Sequence, residues 1–240
     1  MRAVEDAHWW FDAMEAITAR VLDRPGAPAV RDVLEAGCGT GRNLRFLARR
    51  YPAATVTGLD FSPVALDHCR GRGLERLVSG SVSALPFADG AFDLVTSFDV
   101  LTAGSVDDAA ALREFARTLR PGGRLFLRLA AYDFLRSRHD AEWNIQRRYR
   151  RSGLVKMLRQ AGLTVRVASY ANTVLFPVAL AKRWAEAVFP PSTEASDLQI
   201  GAGRGPVAWA LRTLLAGEAA PVAAGRLPFG LSVVALAEKP

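Results

Sequence analysis

Between Val30 and Tyr132 the chain alternates between two hydrophobic rhythms. Short apolar runs bounded by turn residues predict strands, and stretches whose apolar positions recur every three or four residues predict helices. VRDVLEA (30–36), ATVTGLD (54–60), ERLVSGS (75–81), AFDLVTSFDV (91–100) and PGGRLFLRLAAY (121–132) are the strands. RNLRFLARRY (42–51), SPVALDHCRGRG (62–73) and DDAAALREFARTLR (107–120) are the helices between them. Ser62 is placed to cap the second of these, with Pro63 at its first helical position. Strands separated by helices imply right-handed crossovers and a mainly parallel, doubly wound α/β sheet with helices on both faces.

The rhythm changes at both ends. Residues 5–23 predict an amphipathic helix on which Trp9, Trp10, Phe11, Met14 and Ile17 crowd one side, either as a packed stripe or as a lid. After Tyr132 come the arginine-rich RSRHDAEWNIQRRYRR (136–151), a helix (150–162) and a strand (163–172). Helical segments near 174–189 and 207–219 flank a Pro-, Ser- and Gly-containing stretch, 190–206, long enough to be a lid or a plain surface excursion. FGLSVVALAEK (229–239) closes the chain as a seventh strand, forming with 163–172 a pair expected at one sheet edge.

Composition narrows the class without naming it. A chain of 240 residues that is 50% hydrophobic can bury one full core. Its longest apolar stretch, ANTVLFPVALA (171–181), is too short for a membrane span. Its start, MRAVEDAHWW, is too acidic and aromatic for a signal peptide. Cys38 and Cys69 offer neither metal-ligand spacing nor a disulfide framework, which fits a reducing cytoplasm and no metal site. The +7 net charge is spread over many helix faces. With no RNA-binding module and no basic stripe interleaved with aromatics, nucleic acid is not expected as a partner.

The chemistry concentrates in VLEAGCGTG, Val33 to Gly41. In a doubly wound sheet ligands sit at the carboxyl ends of the strands, beside the first strand–helix turn. Gly37, Gly39 and Gly41 lie on that turn, but the third glycine comes one residue too early for a dinucleotide fingerprint, and Arg42–Asn43 does not complete a phosphate loop. Glu35 would sit badly against a phosphate and suits an ammonium. Asp60, ending the second strand, can take both hydroxyls of a ribose, or simply precede the helix as a capping acid.

VLEAGCGTGRNL, VTGLDFSPVAL, ALPFADGAFDLVTSFDVL and LRPGGRLFL, in this order and spacing, resemble the class I S-adenosylmethionine-dependent methyltransferases, in their type 11 small-molecule branch. HWWF, SRHD…RRY, YANTVLFP and LPFGLSV are similar to one bacterial subgroup. The resemblance implies a Rossmann-like methyltransferase fold with a seven-stranded sheet whose last strand is antiparallel. Residues 1–29 would form an aromatic lid or cap, and 30–240 the methyltransferase domain, with insertions near 133–152 and 172–206 over the substrate side. Glu35, Gly37, Cys38, Gly39 and Gly41 would contact the methionine part of the cofactor, Asp60 the ribose, and Phe61 and Ser62 the adenosine. Ser81 and Val82 stand where the family usually carries an Asp for the adenine amino group, and Phe98 and Asp99 would offer backbone to the carboxypropyl chain.

Many relatives place a histidine base after the fourth strand. Here that turn reads DVLTAG, with Thr102 and Ala103 in place of Glu and His. The remaining candidates for a base are His139 and Tyr149, because segments after the fifth strand overhang the substrate side. His8, Trp9, Trp10, Arg138, Arg148 and Asn172 are the expected substrate or lid residues, with the arginines suited to an acidic group. The expected activity is in-line methyl transfer to N, O or C of a small molecule, leaving S-adenosylhomocysteine, by a monomer or homodimer. A same-fold enzyme that binds the cofactor without transferring methyl, such as a cyclase, is the alternative.

Overall fold

A computed structural model of the chain describes residues 5, 8–23, 29–136, 140, 144–188 and 205–240. Seven strands form one sheet: β1 (Asp32–Ala36), β2 (Thr55–Asp60), β3 (Leu77–Ser79), β4 (Phe92–Phe98), β5 (Leu119–Ala130), β6 (Thr164–Ala171) and β7 (Ser232–Glu238). Their spatial order is β3-β2-β1-β4-β5-β7-β6. All pairings from β3 to β5 are parallel, whereas β7 runs antiparallel to both β5 and β6. The chain therefore reverses its direction of winding between β1 and β4, which opens the crevice that such sheets use for ligands.

The helices are α1 (Trp9–Leu22), α2 (Arg42–Arg50), α3 (Pro63–Arg70), α4 (Asp108–Thr118), α5 (Arg151–Gln160), α6 (Phe176–Val188), α7 (Pro206–Ala216) and α8 (Ala219–Ala223). The Ser62 hydroxyl caps α3 by accepting from the Ala65 N–H, as the sequence predicts. The turn Pro121-Gly122-Gly123 does not separate helix from strand. α4 ends at Thr118, and β5 begins at Leu119, which pairs with Phe92 before a register shift brings Arg124 opposite Leu94. The short α8 was not expected, because AAPVA carries a proline and too few residues for a periodic signal.

Alternation along the strands splits the core in two. Leu125, Leu127 and Leu129 of β5 face Leu112 and Phe115 of α4 and Leu154 and Leu158 of α5. Phe126, Val234 and Leu236 face the other way, against Met14 and Ile17 of α1, Leu215 of α7 and Val222 of α8. Trp9, Met14 and Ile17 of α1 are thus packed into this second half of the core, with Trp10 at its edge. Among the described residues no helix is long and apolar enough to cross a membrane.

Candidate functional site

The first strand–helix turn is built around Asp60. Its carboxylate accepts from the Gly39 N–H at 2.8 Å and from the Ser62 N–H at 2.9 Å. Gly37 and Cys38 both donate to the Leu59 carbonyl, at 2.7 and 2.9 Å, so the turn folds back over the end of β2. Gly37 (φ 84°) and Gly39 (φ 51°) hold left-handed backbone that an L side chain resists. A Cβ on Gly37 would lie 2.2 Å from Val100 Cγ2, whereas one on Gly39 would meet nothing within 4 Å among the described residues. Gly37 is therefore a packing requirement, and Gly39 borders open space. Gly41, with φ 82°, is the N-cap of α2. The Cys38 thiol turns inward to the Cys69 thiol, 3.8 Å away, leaving only its backbone on the turn.

Glu35, at the end of β1, is 1% exposed, and its Oε2 has no hydrogen-bond partner among the described residues. Burial, and after it the neighbouring Cys69, push its carboxyl well above the ordinary range against a hydrogen bond from Asn43. A buried carboxylate oxygen without a donor costs free energy, and an ammonium brought to the crevice would relieve it. The raised folded-state value means that stability from protonated Glu35 is complete below the ordinary 4.5 and is lost as pH rises through the raised value. Glu35→Gln should therefore melt higher than wild type at pH 8 without cofactor, with the gap closing toward pH 4.5. The same variant should bind S-adenosylhomocysteine at least ~10-fold more weakly, since a hydrogen bond to a charged group is worth about 1.5–3 kcal/mol. Thermal melts at both pH values and calorimetric titration check the two halves separately.

Around this centre the other residues named as cofactor contacts lie at different depths. Phe61 is 74% exposed beside Asp60, a free ring face at the crevice edge. The Gly80 N–H bonds to the Asp60 carbonyl (3.1 Å), bringing Ser81 alongside. The Ser81 hydroxyl accepts from the Ser83 N–H, and Val82 is buried in the core. Phe98 ends β4, and Asp99 follows with φ 60°.

Arg128 of β5 is a candidate site residue that sequence reasoning did not single out. It is 5% exposed, donates from Nε and Nη2 to Asp99 Oδ2 (3.2 and 2.9 Å), and lies between the Trp10 and Phe98 rings. The signal was a single arginine inside the otherwise apolar run LFLRLAA. A second missed group is Glu5, which takes the Thr40 hydroxyl at the glycine turn. Arg42 reinforces this by donating to the Glu5 carbonyl (2.5 Å) and pairing with Asp12 and Glu15 of α1 at 2.7 and 2.9 Å.

Several expected substrate residues have other tasks. His8 caps α1, its Nδ1 accepting from the Trp10 N–H, and stacks on the buried Trp9. Asn172 is buried with φ 63°, accepting from Trp10 Nε1 and donating to the Ser232 hydroxyl, so it ties α1 to the sheet. Arg148 is paired with Asp140 through two bonds of 2.6 and 2.8 Å and donates to the Ala131 carbonyl, which turns its Nε–Nη2 edge away from any substrate. Arg138 and His139 lie outside the described residues, as does most of 190–206.

Tyr149 is buried, its hydroxyl 2.8 Å from the Leu101 carbonyl and 2.9 Å from Asp108 Oδ2. Burial, then the Asp108 carboxylate, push the phenol above its usual 10, so it stays protonated at neutral pH and cannot accept a proton. It holds the exit of β5 against the turn after β4. Tyr149→Phe should lower stability by about 1 kcal/mol, a typical net hydrogen bond. The pH–rate profile should keep its shape, and stopped assays across pH 6–9 together with urea unfolding separate this from a catalytic base.

A doubly wound seven-stranded sheet with one antiparallel strand, a glycine turn after β1 and an acidic residue ending β2 make a Rossmann-like fold of the kind seen in solved methyltransferase structures. Residues 33–123 match a family model described as a methyltransferase domain. The methyltransferase GfsG of Streptomyces halstedii is 38% identical over 121 residues, covering 48% of this chain and 43% of that protein. A fatty-acid O-methyltransferase of Mycolicibacterium smegmatis is 42% identical over 116 residues, 46% of this chain and 40% of that protein. The chain thus spans less than half the length of these two relatives. The solved [4+2]-cyclase SpnF superposes with a TM-score of 0.61 at 26% identity, over 96% of this chain and 83% of that one.

Proposed function

We propose that the protein is an S-adenosylmethionine-dependent methyltransferase acting on an N, O or C atom of a small molecule. The observation that carries this is the pairing of an unsatisfied, buried Glu35 carboxylate oxygen with open space at Gly39 and a backbone-anchored carboxylate at Asp60. Glu35 would hold the amino group of the cofactor, Asp60 its ribose hydroxyls through the second lone pair on each oxygen, and Phe61 its adenine. When bound, the cofactor supplies an activated methyl on a sulfonium. The chain's own residues orient the two molecules and exclude water, and such positioning supplies ~7–11 kcal/mol of a barrier. Asp99, held by Arg128 and 34% exposed, is the described carboxylate at the end of β4 and would orient an acceptor hydroxyl or amine. The proposal carries a cytoplasmic location and a role in small-molecule metabolism with it.

The test is incubation with methyl-labelled S-adenosylmethionine and a panel of small acceptors, reading labelled product and S-adenosylhomocysteine. Cofactor that binds yet is never demethylated would favour the second reading, a cofactor-dependent enzyme such as a cyclase. The Thr102–Ala103 turn and the likeness to SpnF speak for that reading.

A further inference from the structure

Beyond the cofactor crevice, the carboxyl ends of β5 and β6 and the amino end of β7 meet in one row, where Ala130 pairs with Ser232 and Ser232 with Ala171. Directly above this row four segments bring aromatic rings together. Tyr132 stacks on Tyr170 (5.0 Å between centroids) and on Phe134 (5.1 Å), and meets Phe176 edge-on at 5.9 Å. Phe176 in turn contacts Phe229 at 5.1 Å. Tyr132 holds a φ of 56°, a conformation disfavoured for a bulky residue.

Tyr170 belongs to the core and Tyr132 packs against it, but the outer rings are not enclosed. Phe134 is 55% exposed and Phe229 39%, although both are engaged with their neighbours. Scattered exposed apolar residues are ordinary, but a contiguous patch at a ligand-binding edge marks a binding surface. Tyr132 is four residues beyond Arg128, which pairs with Phe98 at the end of β4. At most ~3.6 Å per residue, the shelf begins within about 14 Å of the Arg128–Asp99 pair.

Charge decides what kind of body suits the shelf. Rings alone would also welcome a cation. Here, however, the charged groups acting on the Tyr132 hydroxyl are Arg150 and Arg151, and the Arg151 guanidinium already lies over the Tyr170 ring at 5.7 Å. Asp133, the neighbouring acid, is paired with Arg136 at 3.1 Å. A further cation would meet positive charge.

We propose that Tyr132, Phe134, Phe176 and Phe229 form the acceptor subsite and seat an uncharged apolar body, an aliphatic chain or ring system, with the reactive atom directed toward Asp99. This rests on the methyltransferase reading for what happens at the reactive atom, but not for binding at the shelf. It also moves the acceptor's recognition from charge to apolar burial, since Arg148 is occupied by Asp140.

The experiment uses the full chain, with 1-octanol as a neutral apolar probe and tetramethylammonium as a cationic one. Saturation-transfer NMR and titration are run with and without S-adenosylhomocysteine. 1-Octanol should bind saturably, and the double variant Phe134→Ala/Phe229→Ala should raise its Kd about 5-fold or more, the loss expected for two aromatic contacts. S-adenosylhomocysteine affinity should stay within about twofold of wild type. Both rings are solvent-exposed, and the single variant Phe134→Ser, with an expected ~3-fold effect, carries the test if the double variant does not fold. Unchanged 1-octanol binding in the variants, or saturable tetramethylammonium binding that they abolish, overturns the proposal. Failure of wild type to bind S-adenosylhomocysteine would instead defeat the functional reading, while the 1-octanol result still decides the shelf.

Discussion

Asp60→Asn is expected to weaken S-adenosylhomocysteine binding at least ~100-fold, a loss of about 3 kcal/mol. Both carboxylate oxygens are in use before any ligand arrives, one on the Gly39 N–H and one on the Ser62 N–H. The amide must turn a donor toward one of these two donors. Hydrogen bonds to a charged acceptor contribute about 1.5–3 kcal/mol each, so the glycine turn and the start of α3 lose their common anchor together. The ribose loses its charged acceptor at the same time. Isothermal titration of folded variant, with a thermal melt beside it, reads both effects. A dissociation constant within threefold of wild type would show that Asp60 serves only as the local cap of the β2–α3 turn.

The second large effect comes from one methyl group placed at two neighbouring positions. Gly37→Ala should destabilise the whole domain by several kcal/mol, while Gly39→Ala should cost only ~1–2 kcal/mol, the penalty for left-handed backbone at a non-glycine residue. At Gly37 the new methyl lies 2.2 Å from Val100 Cγ2. Val100 is β-branched and stiff, so the turn after β4 must move. At Gly39 the methyl meets only open space. The functional order is expected to differ from the stability order. Gly39→Ala should fold and melt near wild type, yet lose most of its S-adenosylhomocysteine affinity, because its methyl occupies room meant for the ligand. Urea unfolding and titration on the same samples settle the contrast. Equal destabilisation by the two substitutions, or normal binding by folded Gly39→Ala, would contradict the crevice as described.

Local sequence carried the glycine turn and its acid well. The spacing of Gly37, Gly39 and Gly41, and Asp60 at a strand end, are features of residues close in the chain. They reappear as a single hydrogen-bonded turn because β1 and β2 are adjacent parallel strands with a short crossover between them. Helix signals were equally local, as the Ser62 cap shows. The acceptor side read poorly. Arg148 and Tyr149 were plausible as ligand grip and base from residue type alone, yet their partners, Asp140, Leu101 and Asp108, use up their polar atoms. Neighbours brought in by folding decide whether a polar atom is free, and spacing along the chain does not report them.

Sequence by itself determined the order of elements, the parallel winding, the glycine turn and the acid that closes on it, since each depends on backbone conformation and hydrophobic period within a few residues. Only the tertiary structure decided that Arg128 would clasp Asp99 between two rings, that α1 would be core rather than flap, and that five aromatic side chains from four segments would assemble at one edge. The last of these rests on the insertion of β7 between β5 and β6. The register of that insertion places Ala130, Ser232 and Ala171 in one row, joining stretches of chain that carry no local sign of one another.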